Sequence, residues 1–355
     1  MKKDTLDMSN MTGIRKKNVV RLGLWIDPSF DKILLSNPDI DLEVLKLDAP
    51  EEEGWKKLMD ADIYHVSAAR DDVPGTWMVT EELIGRCPRL ACVSTSGAGY
   101  DTVDVPACTK AGILVVNQSG GNANSVAEHA LGLMLSVSRR IPESHDILRS
   151  GERVKREELM GRELKGKVLG LVGCGHIGTR TAQLASVFGM RVLAHDPYLD
   201  ADAVTRRGAE PVSMDELLAA SDFVSVHCPR NSETLDMFNA REFQKMKSGA
   251  IFISTARGGI HNEEALYDAI ASGHLGGAGL DVWRVEPPAA DHPLLGLPNV
   301  VATYHTAGVT HEARKNIATI SAEQILAICS GSEPERMVNK EAYARCVAKL
   351  SAKSQ

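Results

Sequence analysis

The chain has no excess of positive charge: 47 acidic residues outnumber 40 basic ones, and the formal net charge of its 355 residues is −7. A nucleic-acid partner would call for a basic patch or stripe, so that class is set aside; acidity of this size serves solubility. Long apolar runs are missing too. No stretch approaches the ~18 consecutive apolar residues of a membrane span, and the N-terminal region with Lys2, Lys3, Arg15, Lys16 and Lys17 lacks the apolar core of a signal peptide. A cytoplasmic protein without a membrane partner is expected. The seven cysteines are scattered, odd in number and without CxxC spacing, which argues against a disulfide framework and against a metal site. They read as reduced thiols, mostly buried. What remains is an ordinary globular composition, 43% hydrophobic and 25% charged. Because single cores stop growing at roughly 250–300 residues, two domains are expected.

The chain is organised around residues 168–196. An apolar run, Val168-Leu169-Gly170-Leu171-Val172, opens into Gly173-Cys174-Gly175-His176-Ile177-Gly178, and a second apolar run ends at His195-Asp196. This reads as strand, glycine turn, helix and strand. The first glycine lets the chain turn off the strand, the second clears room for a pyrophosphate, and the third allows close helix–sheet packing. Phosphates then meet the N-terminus of the helix, where free N–H groups and the macrodipole favour negative charge. Asp196 stands about 20 residues further on, as expected for a carboxylate that bonds ribose hydroxyls. It would repel a 2′-phosphate, so the dinucleotide is NAD rather than NADP.

Before this unit, residues 1–17 are polar and aperiodic, a loose extension. Short apolar runs at 19–26, 42–47, 63–66, 90–93 and 113–116 alternate with helical segments such as 51–60 and 80–85, the pattern of a parallel α/β domain. One of its loops, Ser94-Thr95-Ser96-Gly97-Ala98-Gly99-Tyr100-Asp101, directly follows a strand. Small residues there can cradle a carboxylate or phosphate on backbone N–H groups, or simply connect. Residues 125–141 read as one continuous helix ended by Pro142, apolar on more than one side; it suits a domain bridge, a subunit contact or a buried core helix. After Asp196 the βα alternation continues through strands at 223–226, 250–254, 277–280 and 300–302. Six strands from Val168 onward complete a doubly wound dinucleotide domain, whose ligand belongs at their carboxyl ends. A last long helix over 310–329 and a closing segment at Val338-Asn339 can return the chain to the first domain.

Three polar residues follow the last strands: Arg257, Glu286 and His305. Taken singly, an arginine reads as an ion pair and a histidine as a satisfied core residue. Together they supply what reduction of a 2-oxo acid needs: a planar cation for carboxylate and carbonyl oxygen, a proton donor, and a carboxylate that orients and charges the donor. Their placement at successive strand ends beside a dinucleotide turn points to catalysis.

With these residues in view the chain resembles the D-isomer-specific 2-hydroxyacid dehydrogenase family, over about residues 19–339. The motifs that carry the resemblance are Ser96-Gly97-Ala98-Gly99-Tyr100-Asp101, Asn124-Ser125-Val126-Ala127-Glu128, the glycine turn, His227-Cys228-Pro229, Thr255-Ala256-Arg257-Gly258, Asp281-Val282-Trp283 with Glu286-Pro287, and His305-Thr306-Ala307-Gly308. The resemblance implies an α/β fold of two doubly wound domains, a Rossmann NAD-binding domain (121–308) and a discontinuous flavodoxin-like substrate domain (18–120 and 309–340), with tails at 1–17 and 341–355. It implies Arg257 as substrate-binding arginine, His305 as acid/base and Glu286 as its partner. The NAD site would comprise Gly173, Gly175, His176, Ile177, Gly178, Asp196, His227, Cys228, Pro229, Thr255, Ala256, Arg257, Asp281, His305 and Gly308, with Ala98 reaching it from the other domain and Asp281 holding the nicotinamide amide. Ser96, Gly97 and Ala98, with Arg257 and His305, would bind a small 2-oxo or 2-hydroxy acid in a cleft that closes over it, and a homodimer would form around residues 125–141.

Departures bear on the substrate. Relatives acting on phosphoglycerate commonly carry an arginine directly after the third strand of the outer domain; here Ser67-Ala68 stand there, with Arg70 slightly further on as a candidate phosphate ligand or a solvated surface residue. Tyr304 replaces the usual proline before the histidine, which is expected to alter the turn but not the acid/base role. Hydroxypyruvate, glyoxylate and phosphoglycerate-type substrates all remain open. The alternative is an NAD(H)-sensing interaction protein like the family's corepressor branch, which keeps the same fold and triad.

Overall fold

The computed structural model describes residues 15–352. Most of the extension expected over residues 1–17 lies outside them, and Lys17 already begins a strand. The described residues divide into two compact units, one drawn from residues up to 121 together with those from 314 onward, the other of residues 122–313.

In the first unit, β1 (Lys17–Leu22), β2 (Ile40–Leu45), β3 (Ile63–Val66), β4 (Cys92–Thr95) and β5 (Leu114–Val116) form a parallel sheet ordered β2-β1-β3-β4-β5, the flavodoxin-like order. The central strands are buried on both faces, as all-parallel sheets require. Successive residues serve opposite cores. Val20, Tyr64, Val93 and Val115 pack with Trp55 and Trp77; Val19, Ile63, Cys92 and Leu114 pack with Ala318, Ala322 and Ile325 of the helix His311–Cys329. Residues 341–355, expected as a tail, instead contain a helix, Tyr343–Ser351, whose Cys346 and Leu350 join that second core. The signal in the sequence was one apolar residue every three or four positions, short and flanked by lysines. Asn339 ties the segment in: its Oδ1 accepts from the Val115 N–H at 2.7 Å and its Nδ2 donates to the Ile113 carbonyl at 2.9 Å.

The second unit holds seven parallel strands, β6 (Val168–Val172), β7 (Arg191–His195), β8 (Glu210–Pro211), β9 (Phe223–Val226), β10 (Ile251–Ser254), β11 (Gly277–Leu280) and β12 (Val300–Ala302), ordered β12-β11-β10-β9-β6-β7-β8. The order reverses between β6 and β9, as in a dinucleotide fold. Six strands were expected; the extra one, β8, is a two-residue edge strand ending in proline, too short for any apolar pattern. The single helix expected over residues 125–141 is two, Ala123–Ser138 and Ile141–Ser150, separated where Arg140 takes a left-handed conformation with φ 52°. Pro142 sits in the first turn of the second helix, where its missing N–H has no partner to lose, so it starts a helix rather than ending one. Ala123–Ser138 lies against the unit's own sheet: a Cβ at Gly279 of β11 would come within 2.7 Å of Leu133.

Among the described residues no helix is long and apolar enough to cross a membrane, and no cluster of three metal-ligating side chains occurs. All seven cysteines are free thiols.

Candidate active site

The glycine turn assigns a separate physical task to each of its glycines. Gly173 follows β6 with φ 95°, and a Cβ there would sit 2.8 Å from the Cys228 amide nitrogen. At Gly178 a Cβ would lie 2.2 Å from the Gly173 carbonyl oxygen, so the helix His176–Val187 can approach the turn only without a side chain. Gly175 differs from both: nothing in the protein lies within 4 Å of a Cβ placed there. Its lack of a side chain leaves open a space that the protein itself does not fill, in front of a helix N-terminus with no side-chain cap. Such an arrangement suits a pyrophosphate. Asp196, just past β7, is anchored to the turn, its carboxylate accepting from the Cys174 N–H at 2.9 Å and the Tyr198 N–H at 3.1 Å.

Further round the same strand ends, several buried polar atoms have no protein partner. They are the Nδ1 of His227 and the hydroxyls of Ser254 and Thr255. Buried polar groups are nearly always paired, so these atoms fit a bound polar ligand. His227 bonds the Ser225 hydroxyl through Nε2 at 3.0 Å, and burial lowers its pKa to about 4, so the ring is neutral. Burial also pushes the Cys228 thiol up to about 11, which leaves it an unreactive neutral wall.

His305 and Glu286 are in contact. Nδ1 of His305 donates to Oε2 of Glu286 at 2.6 Å, and Oε1 of Glu286 accepts from the Trp283 N–H at 3.0 Å. The bond to Glu286 raises the His305 pKa; burial opposes it, the Glu286 and Asp281 charges add to it, and the Arg257 charge subtracts. Burial pushes the Glu286 carboxyl up, but the bonds from His305 and the Trp283 N–H, with the charges of His305 and Arg257, outweigh it and hold the group below its ordinary value. The pair therefore favours imidazolium beside carboxylate, with Nδ1 turned to Glu286 and Nε2 left for other work. Arg257, half-buried, donates to the carbonyl of Ala256 at 2.8 Å.

His305 has φ 50°, a left-handed conformation that costs a non-glycine residue about 1–2 kcal/mol. Asp281, fully buried, holds it there. Its Oδ1 accepts from the Thr306 N–H at 2.8 Å and the Thr303 hydroxyl at 2.6 Å, and its Oδ2 from the Ala307 N–H at 2.9 Å. His129, on the helix Ala123–Ser138, completes the cluster through Nε2, 3.0 Å from the Thr303 hydroxyl. Sequence reasoning missed this tether. Asp281 follows a strand just as the acid/base candidates do, but nothing in spacing tells which carboxylate will fold back onto a backbone. Tyr304, in place of the expected proline, is 72% exposed.

Taken alone, the Ser96 loop of the first unit has its carbonyls satisfied from within. Gly97 accepts from the Gln118 N–H at 2.8 Å, Ala98 from Asn117 Nδ2 at 2.8 Å, and Gly99 from the Thr95 hydroxyl at 2.8 Å. Among the described residues no hydrogen bond engages the N–H groups of Gly97, Ala98 and Gly99, the polarity an anion cradle needs. Arg70 is exposed and donates through Nε to the Asp101 carbonyl at 2.9 Å.

Comparison with known proteins shows the family and the fold. The family profile for the NAD-binding domain of D-isomer-specific 2-hydroxyacid dehydrogenases matches residues 131–307. The D-3-phosphoglycerate dehydrogenase of Archaeoglobus fulgidus is 42% identical over 261 residues, covering 74% of this chain and 49% of that protein. The chain thus spans about half the length of the curated relatives it matches. Among solved structures, the D-lactate dehydrogenase of Aquifex aeolicus, complexed with NAD and lactic acid, superposes with a TM-score of 0.78 at 30% identity, over 91% of this chain and 99% of that one. A glyoxylate reductase from Paecilomyes thermophila gives 0.81 at 28% identity, over 92% and 99%.

Proposed function

The chain belongs to the D-isomer-specific 2-hydroxyacid dehydrogenase family with NAD as cofactor, and on that premise we propose that it interconverts a D-2-hydroxy acid and its 2-oxo acid, with a hydroxypyruvate-, glyoxylate- or phosphoglycerate-type substrate. The carrying observation is the 2.6 Å contact between His305 and Glu286 at the strand ends of the NAD domain, with the Arg257 charge acting on both.

Bound NAD supplies or accepts the hydride. In the reductive direction His305 gives its Nε2 proton to the carbonyl oxygen, while Glu286 keeps the ring charged through Nδ1. The guanidinium of Arg257 binds the carboxylate and polarises the carbonyl. Asp281 fixes the loop that carries His305, and the unpaired N–H groups of Gly97, Ala98 and Gly99 cradle the substrate carboxylate. In the oxidative direction neutral His305 takes up the hydroxyl proton.

The proposal extends to a cytoplasmic homodimer. Ala123–Ser138 packs against the helix His176–Val187 and its own sheet, whereas the adjoining helix Ile141–Ser150 has no buried residue and exposes Ile141 and Leu148, which supports a subunit contact around residues 125–141 that extends onto this second helix. Oxidation of NADH at 340 nm against a panel of 2-oxo acids, with and without phosphate, tests the activity. Saturable turnover of at least one acid is expected; measurable NADH binding without turnover of any would overturn the reading in favour of a nucleotide-sensing protein.

A further inference from the structure

His65 is fixed, buried and incompletely bonded. The ring is 4% exposed, stacked 4.6 Å from Phe30, and its Nε2 has no partner. Its tautomer follows from a chain of hydrogen bonds inside the first unit. Gln324 is oriented because its Oε1 accepts from the Arg336 N–H at 2.9 Å, so its Nε2 donates to Oε1 of Gln118 at 2.8 Å. The Nε2 of Gln118 then donates to the Thr95 carbonyl at 3.1 Å and to the Ser94 hydroxyl oxygen at 3.2 Å. Ser94 is buried and its single hydroxyl hydrogen has no other acceptor among the described residues, which directs it to Nδ1 of His65, 3.1 Å away. Nδ1 is thereby an acceptor and Nε2 carries the proton. Burial lowers the pKa to about 3, so the ring remains a neutral donor at physiological pH.

This donor borders a cleft at the ends of β1 and β3, lined also by Trp25, Ser67, Ser96, Arg314 and Ile317. The strand order of the first sheet reverses between β1 and β3, where open α/β sheets place their ligands. Arg314 is half-buried, and among the described residues neither a hydrogen bond nor an ion pair engages its guanidinium or the Ser96 hydroxyl. Ser67 is committed to Asp72, to which it donates at 2.7 Å. The one carboxylate of the lining, Asp27, is likewise engaged, accepting from the N–H and hydroxyl of Ser29 at 2.9 and 2.6 Å. Three residues that line the cleft therefore carry donors without protein acceptors among the described residues, the Nε2 of His65 buried just behind the surface, beside an apolar wall.

We infer that this cleft is an oxyanion subsite that takes the carboxylate or phosphate group of a small organic acid, held by the Nε2–H of His65, the hydroxyl of Ser96 and the guanidinium of Arg314. The anion is either a second charged group of the substrate or a separate effector; only this last distinction rests on the dehydrogenase reading.

Calorimetric titration of the full chain with succinate and with inorganic phosphate tests the site, in an Arg257→Gln background that removes the other carboxylate-binding arginine. Saturable binding of at least one anion is expected, weakened about 10-fold or more by Arg314→Gln, as befits loss of a charge-assisted bond. His65→Leu should weaken it as well; Arg314→Gln, at a half-exposed helical position, keeps the test valid if that variant does not fold. Absence of binding, or binding unaltered by Arg314→Gln, overturns the inference. Kinetics with otherwise native protein then separate the sources. If the anion belongs to the substrate, Arg314→Gln lowers kcat/KM about 10-fold for 2-oxoglutarate or phosphohydroxypyruvate and leaves 2-oxobutyrate unchanged. If it is an effector, added succinate or phosphate alters 2-oxobutyrate turnover in native protein and not in Arg314→Gln. Failure of every acid to turn over would sink the dehydrogenase reading while the titration still decides the cleft.

Discussion

His305 and His65 both lie near the carboxyl ends of parallel strands, one in each unit, and their pKa values move in opposite directions for a visible reason. His305 faces a carboxylate at 2.6 Å, and its pKa is raised. His65 faces a serine hydroxyl at 3.1 Å in full burial, and its pKa falls to about 3. The same side chain on similar scaffolding favours imidazolium or stays a fixed neutral ring, according to whether its Nδ1 partner carries charge. Position in the fold selects the place, and the neighbouring atom selects the role.

The comparison can be broken most sharply at His305. His305→Gln, in folded protein that still binds NADH, should cost about 100-fold or more in turnover, the range for loss of a general acid; turnover within a few-fold of native would remove the histidine from the mechanism. Glu286→Gln sharpens the point by deleting the charge while keeping the shape. In native protein the rate of 2-oxo acid reduction should be full at low pH and fall as pH rises through the raised His305 pKa, above the ordinary value of about 6.5. The variant's fall should begin at lower pH, leaving it about 10-fold slower near neutrality; a profile unchanged from native would show that Glu286 does not charge the ring.

A smaller effect concerns stability. Because the His305 pKa is raised, the pair's contribution is present below the unfolded pKa and lost as pH rises through the folded one. His65, with a lowered pKa, acts with opposite sign: it must gain a proton on unfolding below about pH 6.5, so stability drops as pH falls from there toward 3. Replacing His65 with Leu should flatten that acid slope by about one proton, or about 1.4 kcal/mol per pH unit, in urea unfolding between pH 6 and 4. An unaltered slope would mean that the ring is already protonated in the fold. The least effect is expected for Ser94→Ala, which unpairs Gln118 and His65 at about 1–3 kcal/mol and should leave turnover of a monocarboxylic 2-oxo acid unchanged in steady-state assays.

How legible these features were in the sequence depended on their range. The glycine turn, Asp196 and the two long α/β alternations declare themselves through local spacing, since each residue works within its own strand–turn–helix unit. Arg257, Glu286 and His305 stand out as candidates because strand ends are where such sheets put ligands. Asp281 as tether, His129 beneath it and the Gln324-Gln118-Ser94-His65 chain depend on contacts between residues tens to hundreds of positions apart, which no periodicity encodes. The break at Arg140 was hidden because an αL arginine between two helical patterns looks like more helix, and Pro142 was misread because proline serves both to end helices and to begin them.

The helix Tyr343–Ser351 completes a core to which β1 also belongs, and residues 122–313 are synthesised between the two. Residues 122–313 are continuous and can fold as soon as they emerge. At about 5–20 residues per second, the first sheet waits roughly ten seconds or more with Val19, Ile63 and Leu114 lacking the apolar cover that 318–350 will provide. The core of the first unit is therefore completed only after the residues of the second have been made.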